Sequence, residues 1–229
     1  MQRSANRIRS LVFDAYGTLF DVYAVTSLCE SLFPGHGAAL AATWRAKQLQ
    51  YSLLRSLMNR YKDFWQLTED GLVYAAQSLK LDLTADKRTR LLDAYLTLAA
   101  FPEVKSGLEE LRAMGLRLAI LSNGSPNMLA AAAQSAGISH LLDAVISVDA
   151  VKVFKPSPSV YALADSHLGV PLSETGFVSA NSWDVNGAGA AGLTTFWIQR
   201  MAGEPPEELG YPATHVVRAI TDLCDLVRS

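Results

Sequence analysis

Cysteine is nearly missing from this 229-residue chain: Cys29 and Cys224 stand far apart, with no metal-ligand spacing around either. That excludes a disulfide framework and a thiolate metal site, and two buried thiols in a reducing cytosol are expected. An excess of charge of one sign is missing too. Twenty basic against 22 acidic residues give a formal net charge of -2, so there is no broad basic field to hold nucleic acid or an anionic membrane. No long hydrophobic run opens the chain. Three arginines fall within residues 1–10, and the apolar stretch that follows is cut by Asp14 within a few residues, too soon for a signal peptide or a membrane span. A soluble, cytoplasmic protein is expected. The four histidines, His36, His140, His167 and His215, show no pairing, and no internal repeat, linker or low-complexity segment interrupts the chain.

What is present is apolar: half of the residues are hydrophobic, enough for a sizeable core. Short apolar runs at 8–14, 116–122, 144–147, 175–179 and 194–198 end in small or polar residues and read as buried parallel strands. Helical stretches at 103–114, 126–136, 157–168 and 184–191 lie between them, followed by Gly115, Gly137, Gly169 and Gly192, where a helix end favours a left-handed residue. The βα alternation predicts an α/β fold with a doubly wound parallel sheet, whose ligands bind at the carboxyl ends of the strands. Asp14, Ser122 and Ser179 all fall there.

Residues 20–100 break the alternation. They read as helices inserted into the core as a cap, leaving 1–19 and 101–229 as the core domain. Within them Arg45, Leu49, Leu53 and Leu57 recur every four positions, which sets Arg45 on an apolar face. Two readings stay open for it: a functional anionic partner, or an arginine that snorkels or pairs with a neighbouring acid.

Four ordered segments carry the chemistry. The first is Leu11-Val12-Phe13-Asp14-Ala15-Tyr16-Gly17-Thr18-Leu19-Phe20, the second Ile120-Leu121-Ser122-Asn123-Gly124, the third Val153-Phe154-Lys155-Pro156, and the fourth Phe177-Val178-Ser179-Ala180-Asn181-Ser182-Trp183-Asp184. Taken singly, Thr18, Ser122 and Ser179 are ordinary turn or cap residues, Phe64 and Trp183 ordinary core, and Lys155 a solvated loop residue. Asp14 differs, because an acid closing a buried strand needs a partner.

Together these segments resemble the motifs of the haloacid dehalogenase superfamily, over nearly the whole chain. Its phosphatases carry Asp-x-Asp in the first motif and Gly-Asp-x-x-x-Asp in the fourth, for a leaving-group acid and for magnesium. Here Tyr16 and Ala180 take those places. Asp-x-Tyr-Gly-Thr-Leu, the segment Ala42-Thr43-Trp44-Arg45-Ala46-Lys47-Gln48-Leu49-Gln50-Tyr51 and the Ser-x-Asn-x-Trp-Asp run from Ser179 resemble the L-2-haloacid dehalogenases instead. Ala46 departs from the Gln that several members carry.

The resemblance implies attack of Asp14 on the halogen-bearing carbon of a short L-2-haloalkanoate. An aspartyl ester forms, and its hydrolysis yields a D-2-hydroxy acid, with no metal and no cofactor. It implies that Lys155 offsets the charge at Asp14 and that Thr18 orients Asp14. Ser122, Asn123 and the amides near Ala15 and Tyr16 would hold the substrate carboxylate. Arg45 would meet the halide, with Asn123 sharing that contact. Ser179, Asn181 and Asp184 would place Lys155 and water, while Tyr16, Leu49, Phe64 and Trp183 would exclude solvent. An ordinary aspartate is ionised at neutral pH, with a reference pKa of about 3.9, so the difficulty is repulsion: two carboxylates about 4 Å apart repel by about 4 kcal/mol at an effective dielectric of about 20. The resemblance also implies a homodimer. The alternatives are a magnesium-dependent phosphatase of the same superfamily and a catalytically silent binding member.

Overall fold

The computed structural model describes residues 7–201 and 203–228; Met1 to Asn6, with Arg3 of the three arginines noted near the start, Ala202 and Ser229 lie outside the described residues. Six parallel strands form one sheet in the order β3-β2-β1-β4-β5-β6. They are β1 (Ser10–Phe13), β2 (Arg117–Ser122), β3 (Ala144–Ser147), β4 (Thr175–Ser179), β5 (Thr194–Ile198) and β6 (His215–Val217). β1 is buried along its whole length, as expected of a central strand covered on both faces. The crossovers α5 (Val104–Ala113) and α6 (Pro126–Ser135) carry the chain from β1 through β2 to β3. α7 (Pro158–Tyr161), α8 (Leu163–Leu168) and α9 (Ser182–Ala190) lead the other way, to β4 and β5. Right-handed connections running in opposite directions cover opposite faces, which gives the doubly wound fold expected from the sequence.

The order reverses at β1. Phe13 pairs with Ile120 of β2 on one side and with Val178 of β4 on the other, so Asp14, Ser122 and Ser179 emerge together at the crevice where such sheets bind ligands. Gly115, Gly137, Gly169 and Gly192 all adopt positive φ, between 60° and 94°, as their positions behind helices predict.

The long crossover from β1 to β2 holds four further helices, α1 (Tyr23–Leu32), α2 (Gly37–Leu57), α3 (Phe64–Ser78) and α4 (Ala85–Ala94). The chain leaves and re-enters the sheet side by side, with Asp21 N–H donating to Ala99 O at 2.9 Å and Phe101 N–H to Leu19 O at 3.0 Å.

Three sequence expectations change. The predicted helix 157–168 is divided at Ala162, although that residue keeps helical dihedrals (φ -60°, ψ -22°). A sixth strand, β6, joins the sheet at its edge, too short and too exposed for a strand pattern. The supposed apolar face of α2 is not its core face. Gly37, Leu40, Trp44, Gln48 and Ser52 are buried, whereas Leu53 and Leu57 are exposed.

Candidate active site

Asp14 follows β1 directly and is held from three sides. Thr18 Oγ1 and Asn181 Nδ2 each donate to Oδ2 at 3.1 Å, and Lys155 Nζ donates to Oδ1 at 3.2 Å. Thr18 is itself fixed by Ala180 N–H, which donates to its hydroxyl at 2.8 Å. The carboxylate plane is therefore set by donors on three separate chain segments, each at a carboxyl end of a strand or in the loop beyond one.

Lys155 is almost wholly buried, and its ammonium also reaches Asp184 Oδ2 at 2.9 Å. Burial acts to lower the Lys155 pKa, but the Asp14 and Asp184 carboxylates outweigh it and hold the group above its ordinary value. The lysine is an ammonium. Asp184 is fully buried in the first turn of α9, and its Oδ1 accepts a further bond from Tyr161 Oη at 2.7 Å. Tyr161 was not among the sequence-derived candidates. Its signal was available, since a tyrosine in the helix that begins just after Lys155 needs a partner for its hydroxyl if buried. Gly187 makes the approach possible: a Cβ there would lie 2.5 Å from Tyr161 Oη and 2.6 Å from Pro156 Cβ.

Above Asp14 is a cavity of about 20 Å³, lined by Asp14, Tyr16, Ser122, Asn123, Asn181 and Trp183 from the strand ends and the segments that follow them, and by Arg45, Leu49 and Phe64 from α2 and α3. Every lining residue is one that the sequence singled out. Arg45 makes no hydrogen bond or ion pair with any described residue, so it does not pair with a neighbouring acid; its charge acts on the phenols of Tyr16 and Tyr95. Its neighbours in α2 are tied to α3. Trp44 Nε1 donates to Thr68 O at 2.7 Å and Gln48 Nε2 to Thr68 Oγ1 at 3.0 Å, which locks α2 onto α3.

Tyr16 stacks on Phe64 at 6.5 Å between ring centroids, with Gly124 leaving room for its ring. Its buried hydroxyl has no hydrogen-bond partner among the described residues. Burial, then Tyr95 and Asp14, push the phenol far above its usual pKa, with Arg45 opposing, so Tyr16 does not supply a carboxyl-like acid.

Of the remaining candidates, Ser122 and Asn123 line the cavity and Ser179 does not. Ser179 Oγ accepts from Asn181 N–H at 3.1 Å, and no side-chain hydrogen bond joins it to Lys155 or Asp14; it shapes the turn that presents Asn181. Ser122 Oγ accepts from Gly124 N–H at 3.2 Å, which leaves its own proton free to donate. Asn123 Oδ1 accepts from Lys155 N–H at 3.0 Å, which leaves its amide NH2 facing the cavity side. Ala15 O accepts from the Thr18, Leu19 and Phe20 amides, and the turn so formed carries the Ala15 and Tyr16 N–H groups at the end of β1.

The donor set does not fit a divalent cation. Asp14 and Asp184 are already bridged by an ammonium, Ala180 supplies no side-chain oxygen, and among the described residues no three His, Cys, Asp or Glu side chains gather into a metal-binding group. Hard cations need more oxygen ligands than remain.

The model of the haloacid dehalogenase-like hydrolases matches residues 8–192. The chain belongs to that family. Among curated haloacid dehalogenase relatives, the (S)-2-haloacid dehalogenase of Pseudomonas sp. (strain YL) is 48% identical over 96% of this chain and 94% of its own length. A solved L-2-haloacid dehalogenase superposes with a TM-score of 0.95 at 48% identity, covering 98% of this chain and all of its own. A second, from Xanthobacter autotrophicus with chloropropionic acid covalently bound, gives 0.90 at 40% identity, over 97% and 99% of the two chains.

Proposed function

We propose that this haloacid dehalogenase-like hydrolase is an (S)-2-haloacid dehalogenase, converting short L-2-haloalkanoic acids to D-2-hydroxy acids with inversion. The observation that carries the reading is the Asp14 carboxylate, fixed by Thr18, Asn181 and Lys155, facing a cavity in which a neutral phenol stands where phosphatases place their acid. Near relatives bearing that activity in their names support it, as does the covalent adduct in the Xanthobacter enzyme.

In the proposed reaction one Asp14 oxygen displaces halide from the substrate carbon, forming a C–O bond as the C–halogen bond breaks. Water then adds to the Asp14 carbonyl and releases the hydroxy acid. Positioning is the main contribution to the first step, since three donors fix the Asp14 carboxylate toward the cavity. Lys155 is engaged by two carboxylates, so the charge of the incoming substrate must be met elsewhere. Arg45 carries the free positive charge of the cavity. The Ser122 hydroxyl, the Asn123 amide and the Ala15 and Tyr16 N–H groups add neutral donors. We assign the substrate carboxylate to those neutral donors and the departing halide to Arg45 with Asn123. During ester hydrolysis the Thr18, Asn181 and Lys155 donors stabilise charge on the Asp14 oxygens. Leu49, Phe64 and Trp183 exclude bulk water.

We further propose that residues 20–100 form a cap domain over a core of 1–19 and 101–229, and that the protein is a cytoplasmic homodimer. The two free cysteines are buried, which holds both thiols up at about 11, in keeping with a reducing compartment. Leu53, Leu54 and Leu57 of α2, Met58 just beyond it and Tyr74 of α3 expose between 41% and 72% of their surface, an apolar patch of the kind that marks an association face. Light scattering at twice 24.8 kDa tests the dimer. Halide release from each enantiomer of 2-chloropropionate, with the chirality of the lactate determined, tests the function. Release from the L-enantiomer with D-lactate as product is expected. Hydrolysis of a phosphate ester without halide release would reject the reading.

A further inference from the structure

The cavity over Asp14, at about 20 Å³, has room for about one water, and a haloalkanoate is several times larger. Admitting substrate therefore requires the lining to open, and α2 and α3 supply Arg45, Leu49 and Phe64 of it. The attachments show where. On one side lie the two chain crossings, Asp21 to Ala99 and Phe101 to Leu19, reinforced by Arg200, which donates to Thr18 O and pairs with Glu103 Oε1, both at 2.6 Å, with its guanidinium 3.9 Å from the Phe101 ring centroid. That side is clamped. Among the described residues, only two hydrogen bonds join residues 24–98 to the core elsewhere. Tyr61 Oη donates to Asp149 Oδ1, and Phe154 N–H donates to Ser56 Oγ at 3.1 Å.

We propose that the Tyr61–Asp149 contact is a latch that closes the cap over the nucleophile and opens to admit substrate, and that Tyr61 is a positioning residue for Lys155. The Tyr61 ring stacks on Phe154 at 5.0 Å and 28°, and Phe154 packs on Phe64, a wall of the cavity, at 6.2 Å. Phe154 immediately precedes Lys155, whose N–H is held by Asn123. Closing the latch and seating the ammonium thus use one short segment. Outside it, along the cap boundary, runs a cleft of about 420 Å³ lined by Asp63, Trp65, Ser125 and Asp149 among others. The two spaces are adjacent in the chain at Phe64, since Asp63 and Trp65 line the cleft and Phe64 lines the cavity. Releasing Tyr61 from Asp149 would join them and give an entry path. Burial and then Asp149 push the Tyr61 phenol upward, which keeps it a neutral donor.

The Tyr61→Phe variant tests this, because it keeps the ring stack and removes only the latch bond; Asp149→Asn is the companion, leaving an acceptor in place. The Phe154 amide reports opening directly through hydrogen exchange measured by NMR, without turnover. Exchange at Phe154 should quicken at least threefold in Tyr61→Phe while the β1 amides keep their wild-type rates, with a smaller change in Asp149→Asn. With enzyme in excess, halide release in one turnover should slow at least threefold. A change below threefold in either measurement, or equal quickening of the β1 amides, would overturn the proposal. It rests on the dehalogenase reading only for the substrate: absence of halide release by the wild type would reject that reading, while the exchange at Phe154 would still decide the latch.

Discussion

Lys155 Nζ lies 3.2 Å from Asp14 Oδ1, and its other carboxylate partner, Asp184, lies on the opposite side at 2.9 Å. The ammonium stands between the two acids that a metal-dependent hydrolase of this fold would use for its cation. Replacing it leaves two buried carboxylates unpaired, and breaking a buried pair in this way is strongly destabilising. The Lys155→Met variant should therefore lose halide release by about 100-fold or more and also melt earlier. Steady-state assays with thermal unfolding check both, and activity within a few-fold of wild type would contradict the role given to Lys155.

The same arrangement predicts indifference to chelators. Prolonged treatment with EDTA should leave halide release unchanged, and added magnesium should not raise it. Loss of activity in EDTA that magnesium restores would return the phosphatase alternative.

The pH dependence follows from the raised Lys155 pKa. A cation whose folded pKa lies above its unfolded value gives its full contribution below the unfolded value, about 10.4 for lysine, and loses it only as the pH rises through the folded value. A rate profile of halide release should thus show no deprotonation of Lys155 below about pH 10. A one-proton fall centred well below that, absent in the Lys155→Arg variant, would contradict the assignment.

Arg45 is the one cation among the described residues that line the cavity. A planar guanidinium and a compact ammonium address a halide and a carboxylate differently, so Arg45→Lys should cost on the order of 100-fold in kcat/KM, with thermal stability close to wild type. Near wild-type turnover would make Arg45 a packing residue of α2.

Much of the site was legible because its residues sit at strand ends, where local pattern and chemistry coincide. Asp14 closes a strand too apolar to carry an acid without purpose, and the glycines behind four helices marked the βα units. Arg45 lines the cavity, but the stripe drawn from it was not a core face. Steps of four residues advance about 40° around a helix of 3.6 residues per turn, so a row that begins at the cavity with Arg45 ends on the surface at Leu57, 72% exposed. Tyr161 escaped notice for a different reason. Its partner Asp184 is 23 residues away, and the contact depends on Gly187 letting two helices approach, which no local pattern records. The latch at Tyr61 is likewise a long-range pairing, 88 residues from Asp149.

Tyr161 offers a prediction of its own. A hydrogen bond to a charged group contributes about 1.5–3 kcal/mol, so Tyr161→Phe should lower turnover roughly tenfold or more by loosening Asp184 and with it Lys155. Gly187→Ala, which forces a Cβ against the same hydroxyl, should act in the same direction and lower thermal stability as well. Unchanged kinetics in Tyr161→Phe would show that Asp184 needs no second donor.

The central claim is that Asp14 is the nucleophile and that water attacks its ester, and a single turnover in oxygen-18 water with enzyme in excess tests it most directly. The oxygen entering the product then comes from Asp14, and solvent oxygen replaces it in the protein. The account predicts label in the peptide containing Asp14 and a 2-hydroxy acid that stays largely unlabelled. Label in the hydroxy acid with none in the protein would mean that water attacks the substrate directly, and would reduce Asp14 to a general base.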